Sequence, residues 1–219
     1  MSNWNTPIAR WKLDGNLNDY GPYGYNFTDV DGYAYEPGIN GKAVYSGGSN
    51  TAYTDTYSNL VSGMSGNFTI SYWLRTRTNS NIYLAYCRDP LDTSKGFYLY
   101  TRGEQHKLYL GATNIVIAEY TRGTWGHVTY VINRGATGPV YSYVNGKLLY
   151  SESSDTTATI VDGPHFCFGS KVVSGSFYPS AAFNANDLRI YDYALSTEDV
   201  SRLYNSYHGQ YQAMQGVIV

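Results

Sequence analysis

Retaining hydrolysis of a glycosidic bond needs two carboxyl groups about 5 Å apart, and a strand offers such a pair when acidic residues sit two positions apart on one face. The five glutamates, Glu36, Glu104, Glu119, Glu152 and Glu198, are scattered, and none has an acidic residue two positions away. Asp29 and Asp31 do have that spacing, but Asp29-Val30-Asp31-Gly32 is a glycine-containing loop whose ordinary role is a solvated turn. There is no Gly-x-Ser-x-Gly elbow, no His-Glu-x-x-His pair and no phosphate-binding loop. His106, His127, His165 and His208 are not spaced as zinc ligands. The chemistry the residues favour is binding, not turnover.

Tyrosine is what the chain has in excess: 25 Tyr with 4 Trp and 7 Phe, while only 15% of residues are charged. A tyrosine offers a flat apolar face and a hydroxyl and loses only two torsions on binding, and sugars stack on such rings. In Phe97-Tyr98-Leu99-Tyr100, Tyr98 and Tyr100 share one strand face about 7 Å apart. In Tyr83-Leu84-Ala85-Tyr86, strict alternation turns Tyr83 away from Tyr86. If Tyr98 and Tyr100 face outward, their strand belongs to an exposed concave face with Trp73 and Tyr83 as neighbours; if inward, they are core. Core or scaffold is the commoner role for any one tyrosine, whereas the surplus as a set points to a face that binds glycans or protein.

The elements that must carry these side chains read as all-β. Short apolar alternations rich in Tyr, Val and Thr are separated by turn residues, and 23 glycines punctuate 219 positions. The clearest hairpin is Val140–Val144, then Asn145-Gly146, then Lys147–Tyr150, since Asn-Gly supplies the two positive φ angles of a type I′ turn. Other strands are expected at Ile8–Leu13, Ala43–Tyr45, Phe68–Arg75, Ile82–Cys87, Phe97–Thr101, Lys107–Leu110, Ile115–Glu119, His127–Ile132, Phe166–Gly169 and Asp187–Tyr191. One short helix is predicted over 197–205, where Ser196 caps and Val200, Leu203 and Tyr204 recur at helical spacing. One domain over 1–205 is expected, with 206–219 a tail or an added edge strand. Cys87 and Cys167 could bridge, but two buried thiols are the commoner meaning of so sparse a pair.

The segments Ala9–Asp19, Gly38–Val44, Phe68–Arg75, Trp125–Val128, Tyr143–Leu148 and Asp187–Tyr191 through Ser196, in that order and spacing, resemble the concanavalin A-like, laminin-G-like jelly-roll superfamily. The resemblance implies a two-sheet antiparallel β-sandwich of about a dozen strands with a short helix near the C-terminus. It does not imply one function, because the fold carries lectins, adhesion modules, glycosidases and structural domains. It also implies a Ca²⁺ between the first strand's exit loop and the Asp that opens the last core strand, here Asp19 and Asp187, with Asp14 in reserve. The alternative is that Asp187 caps a turn or pairs with Arg189 or Arg10. Asp14–Asp19 reads superficially as a calcium loop, but it fails as an EF-hand because Asp19 replaces the sixth-position Gly and Tyr25 the twelfth-position Glu.

With 15 Lys plus Arg against 17 Asp plus Glu and no basic block, nucleic acid and anionic membrane are not the expected partners. The expectation is a non-catalytic glycan-binding or adhesive domain whose partners are cell-surface or extracellular glycans. A start at Met without a secretory signal suggests display on a bacteriophage particle, hence an extracellular or virion-surface location and contacts with virion proteins or with itself. The alternatives are a structural virion or interaction protein without sugar binding, or a glycoside hydrolase of the same fold.

Overall fold

The computed structural model describes residues 6–55, 58–89, 92, 94–102, 104–119, 122–160 and 165–215. Its strands are β1 (Ala9–Trp11), β2 (Thr28–Asp29), β3 (Ala34–Pro37), β4 (Lys42–Ser46) and β5 (Ala52–Thr54), followed by the short helix α1 (Ser58–Gly63). Then come β6 (Phe68–Thr76), β7 (Ile82–Arg88), β8 (Gly96–Arg102), β9 (Gln105–Leu110), β10 (Thr113–Glu119) and β11 (Gly126–Ile132). The chain continues through β12 (Gly138–Val144), β13 (Lys147–Ser154), β14 (Phe166–Phe168), β15 (Ser170–Val173), β16 (Ser176–Pro179), β17 (Phe183–Tyr191) and α2 (Thr197–Gln215).

Two antiparallel sheets face each other, as the sequence predicts. The first runs β13-β12-β11-β6-β17-β4-β3 with β1 added on β17, and the second runs β10-β9-β8-β7-β14-β5-β2. The β15–β16 hairpin packs over the outside of the second sheet, where Val172 and Phe177 cover Cys167 and Tyr86. Between the sheets, Phe68, Ile70, Tyr72 and Leu74 of β6 meet Phe97, Leu99, Leu108 and Leu110 of β8 and β9. Burial of this apolar area at about 25 cal/mol per Å² is the main force holding the layers together.

The sheets differ in what covers their outer faces. Helix α2 lies across the first sheet, where Leu195, Val200 and Leu203 pack on Val131, Tyr143 and Tyr191. Every residue of β17 is therefore buried, and so is every residue of β6 but Arg75, which is why neither segment alternates cleanly in sequence. The second sheet keeps part of its outer face open. There β8 buries Phe97, Leu99 and Thr101 and turns Tyr98, Tyr100 and Arg102 outward.

The Asn145-Gly146 turn has φ of +51° and +75°, the geometry its sequence predicts. Ser196 caps α2: its Oγ accepts from Asp199 N at 3.1 Å and donates to the Asp199 carboxylate at 2.7 Å. The helix does not stop at 205. It continues to Gln215, so 206–215 is helical and neither a loose tail nor an edge strand; 216–219 lies outside the described residues. Leu203, Tyr204 and Tyr207 find partners on the sheet, and that packing overrides a segment of weak intrinsic helix propensity. Strands β2, β3, β5, β15 and β16 and helix α1 add to the expected elements.

Cys87 and Cys167 are free and buried. Cys87 belongs to the core between the sheets, whereas Cys167 lies on the outer face of the second sheet beneath Val172, so the two thiols point to opposite sides of one layer.

Candidate functional site

The β8–β9 hairpin pairs Tyr98 with Tyr109, Tyr100 with Lys107 and Arg102 with Gln105. Because alternate residues share a face, all six stand on the outer side of the second sheet. With Tyr83 of β7 and Asn79 they line a groove of about 780 Å³. Tyr98, Tyr100 and Tyr83 thus meet outside the core, in the arrangement the sequence allows for a binding face. Tyr109, Arg102, Lys107, Gln105 and Asn79 join them and were not singled out from sequence.

The rings are ordered by one another. Tyr98 and Tyr109 stack with centroids 4.3 Å apart and planes 6° apart. The Arg88 guanidinium lies over Tyr98 at 5.2 Å, so Tyr98 is flanked by a cation as well as by Tyr109. It is a structural support for the groove, not a free platform. Tyr100 meets Tyr109 edge-on at 6.2 Å and Tyr83 at 5.3 Å, and its hydroxyl donates to Asn81 Oδ1 at 2.7 Å. Among the described residues no cation lies over Tyr100 or Tyr109. Burial raises the pKa of Tyr98, with Tyr109 beside it adding to the effect, and burial likewise raises Tyr100. The hydroxyls stay protonated at neutral pH and can both donate and accept.

Alternation along β7 fails at one point. The register slips between Tyr83 and Ala85, so Leu84 and Ala85 both turn inward and Tyr83 and Tyr86 share the outer face, with rings 6.4 Å apart. The expectation that they point in opposite directions is corrected by this β-bulge.

Trp73 is not in the groove. It stands on the outer face of the first sheet, 1% exposed, against His127 at 5.0 Å, Tyr204 at 5.7 Å and Tyr207 at 6.4 Å, and is covered by α2. Beneath the same helix, Ser71 Oγ and His127 Nε2 are 2.8 Å apart. Burial pushes the His127 pKa down to about 3, and the pair is closed off from solvent.

Asp19 and Asp187 do not fit a calcium shell. Asp19 Oδ1 accepts backbone N–H bonds from Arg10 at 2.7 Å and Gly21 at 2.8 Å, and Oδ2 accepts one from Tyr25 at 2.8 Å. Asp187 is held between two guanidiniums, Arg10 at 2.8 Å and Arg189 at 2.7 Å. Burial raises its pKa, but Arg189 and Arg10 outweigh that and hold the carboxyl below the usual range. A cation would have to displace both arginines, and no group of three His, Cys, Asp or Glu suited to a metal occurs among the described residues. Both guanidiniums also donate to the Tyr207 hydroxyl, at 2.7 Å from Arg10 and 2.6 Å from Arg189, tying α2 to β1 and β17. Asp14 lines the small pocket beside this cluster. Asp29 accepts from the backbone N–H groups of Gly32 and Tyr33, so it is the loop-closing turn residue its sequence context suggests.

The backbone resembles that of several toxin binding domains. The binding domain of botulinum neurotoxin DC in complex with rat synaptotagmin II superposes with a TM-score of 0.74 at 17% identity, over 94% of this chain and 52% of that one. A botulinum neurotoxin type C structure, described in terms of cell entry through two ganglioside molecules, gives 0.73 at 16% identity over 93% and 52%. The botulinum neurotoxin type G receptor binding domain gives 0.69 at 18% identity over 92% and 51%. The chain spans about half the length of these structures, and at such identities the likeness is one of fold. A search of curated proteins finds no match to the sequence. The family model of the concanavalin A-like lectin/glucanases superfamily, Laminin_G_3, matches residues 46–201, which takes in β5 through β17 and the start of α2. Together with the sandwich itself, this places the chain in the concanavalin A-like lectin/glucanases superfamily.

Proposed function

We propose that the protein is a non-catalytic glycan-recognition domain and that the tyrosine groove on the second sheet is its binding face. The observation that carries this reading is a solvent-open array of ordered rings with hydrogen-bonding tips, lined by Asn79, Gln105, Arg102 and Lys107 and by no carboxylate. Aromatic faces stack on the apolar side of a sugar ring while amides and hydroxyls address its hydroxyls. A pair of carboxyl groups for hydrolysis is missing from that lining. The ganglioside and sialylated ligands named for the toxin structures support a glycan as the kind of partner.

A panel of oligosaccharides tested by calorimetry, with reducing ends assayed in the same samples, checks both parts of the reading. Binding without release of reducing ends is expected. Tyr100→Ala and Tyr109→Ala should each weaken binding at least tenfold, about 1.4 kcal/mol. Binding indifferent to both changes, or turnover abolished by replacing one carboxylate, would count against it.

A second reading rests on β13, the edge strand of the first sheet, which exposes Leu148, Leu149 and Tyr150 in succession at 47%, 51% and 42%. Such an edge suits protein association. Self-association that Leu149→Lys abolishes would support a structural role beside, or in place of, sugar binding.

A further inference from the structure

We propose that the groove selects acidic saccharides, chains bearing carboxylate or sulfate groups, over neutral ones. The inference rests on the glycan reading above and names the ligand class of that same groove.

Five of the nine arginines have a carboxylate partner. Arg10 and Arg189 share Asp187, Arg75 and Arg77 share Glu36, and Arg202 pairs with Glu198. Arg102 and Lys107 stand together on the wall of the groove: among the described residues neither forms an ion pair, and no lining residue of the groove is acidic. They are brought together by register. Lys107 faces Tyr100 and Arg102 faces Gln105, so the two cations are diagonal neighbours on one face, about 7 Å apart at their bases. Two like charges so placed repel each other, and an anion set between them relieves that repulsion while making its own contacts.

This doublet stands on a protein whose net charge is −2, so it is a local feature and not part of a general basic surface. Its neighbours set the ligand's shape. Tyr100 lies between Lys107 and Tyr83, and Arg102 also reaches the Tyr100 hydroxyl. A sugar ring laid on Tyr100 or Tyr109 would direct a carboxylate or sulfate substituent at Lys107 as a point charge and at Arg102 as a planar two-donor fork. A neutral sugar could stack on the same rings, but it would leave the two charges uncompensated.

Matched pairs of probes separate charge from shape: an oligogalacturonate hexamer against its methyl ester, and dextran sulfate against dextran. The acidic member of at least one pair should bind at least tenfold more tightly in 20 mM salt, with the advantage shrinking at 500 mM, and the pair that shows it distinguishes carboxylate from sulfate. Arg102→Gln and Lys107→Gln, whose side chains lie outside the core, should each erase most of that advantage, weakening the acidic member of a pair far more than the neutral one, with the melting temperature in place. Tyr109→Ala should weaken both members of a pair alike. Equal binding of acidic and neutral members, or a preference that survives both glutamine variants, overturns the acidic selectivity and leaves the glycan reading standing. Failure of every saccharide to bind overturns both, as does tighter binding of an oligothymidylate through the same residues.

Discussion

Tyr98 of β8 and Tyr109 of β9 stand face to face across a hydrogen-bonded strand pair, 4.3 Å apart and nearly parallel, with the Arg88 guanidinium over Tyr98. The groove is therefore prestacked. Tyr98→Ala should lower stability by about 2 kcal/mol, combining lost burial with a lost ring pair. A double-mutant cycle with Tyr109→Ala, followed by urea unfolding, should return a coupling near 1 kcal/mol. Strict additivity would mean that the stack contributes nothing of its own.

Two buried histidines, His106 and His127, make stability depend on pH. Burial depresses His106 and His127 to pKa values of about 3, whereas an unfolded histidine titrates near 6.5. Between these values the unfolded chain binds protons that the native one refuses, so stability is fully present above pH 6.5 and falls as the pH drops. Two such groups give a slope of up to about 2.7 kcal/mol per pH unit. Unfolding free energies measured from pH 7 to 4.5, above the range in which Asp187 titrates, should show this decline. A flat profile would contradict the burial of both rings.

Tyr207→Phe isolates the link between helix and sheets. The hydroxyl takes one hydrogen bond from Arg10 and one from Arg189, whose side chain is buried. Removing the oxygen leaves a buried guanidinium donor unpaired, at a cost of about 2 kcal/mol. Amide exchange around Leu203 to Tyr207 should speed up by a corresponding factor, while the hairpin of β8 and β9 stays protected. Uniform acceleration throughout the chain would show that the helix does not open on its own.

Calcium should leave the melting temperature unchanged, because Arg10 and Arg189 already satisfy Asp187 and three backbone amides satisfy Asp19. A rise of about 2.7 kcal/mol at a hundredfold excess over the dissociation constant, reversed by chelator, would show that the ion displaces the arginines.

The sequence made most of the sandwich legible and the site only in part. Asn145-Gly146 announced its turn because few residues accept two positive φ angles, and Phe68–Arg75 announced a strand through its apolar and β-branched content. Which face of a strand meets solvent is a different kind of fact. Trp73 and Tyr98 are both strand aromatics, and only the packing of α2 decides that one is sealed and the other open. The length of that helix was itself obscured, since Ser206, His208 and Gly209 are poor helix formers and the anchoring contacts of Tyr207 are tertiary. One signal was available. Folding the chain about positions 103–104 sets Tyr109 opposite Tyr98 and Lys107 opposite Tyr100, which would have assembled the groove from alternation alone.

The position of β17 has a consequence for the growing chain. This strand, one of the last elements made, sits between β6 and β4 in the middle of the first sheet and also pairs with β1, setting Ala9 opposite Ile190. A nascent polypeptide that ends before Phe183 thus has the two halves of that layer with nothing between them, and the apolar side of β6 lacks its neighbour. Closure must wait for contacts some 180 residues apart, a long loop to bring together, so this layer is completed only once β17 has been made. Local hairpins such as β8–β9 and β12–β13 can form before then, so the tyrosine groove can begin to take shape before the domain that supports it.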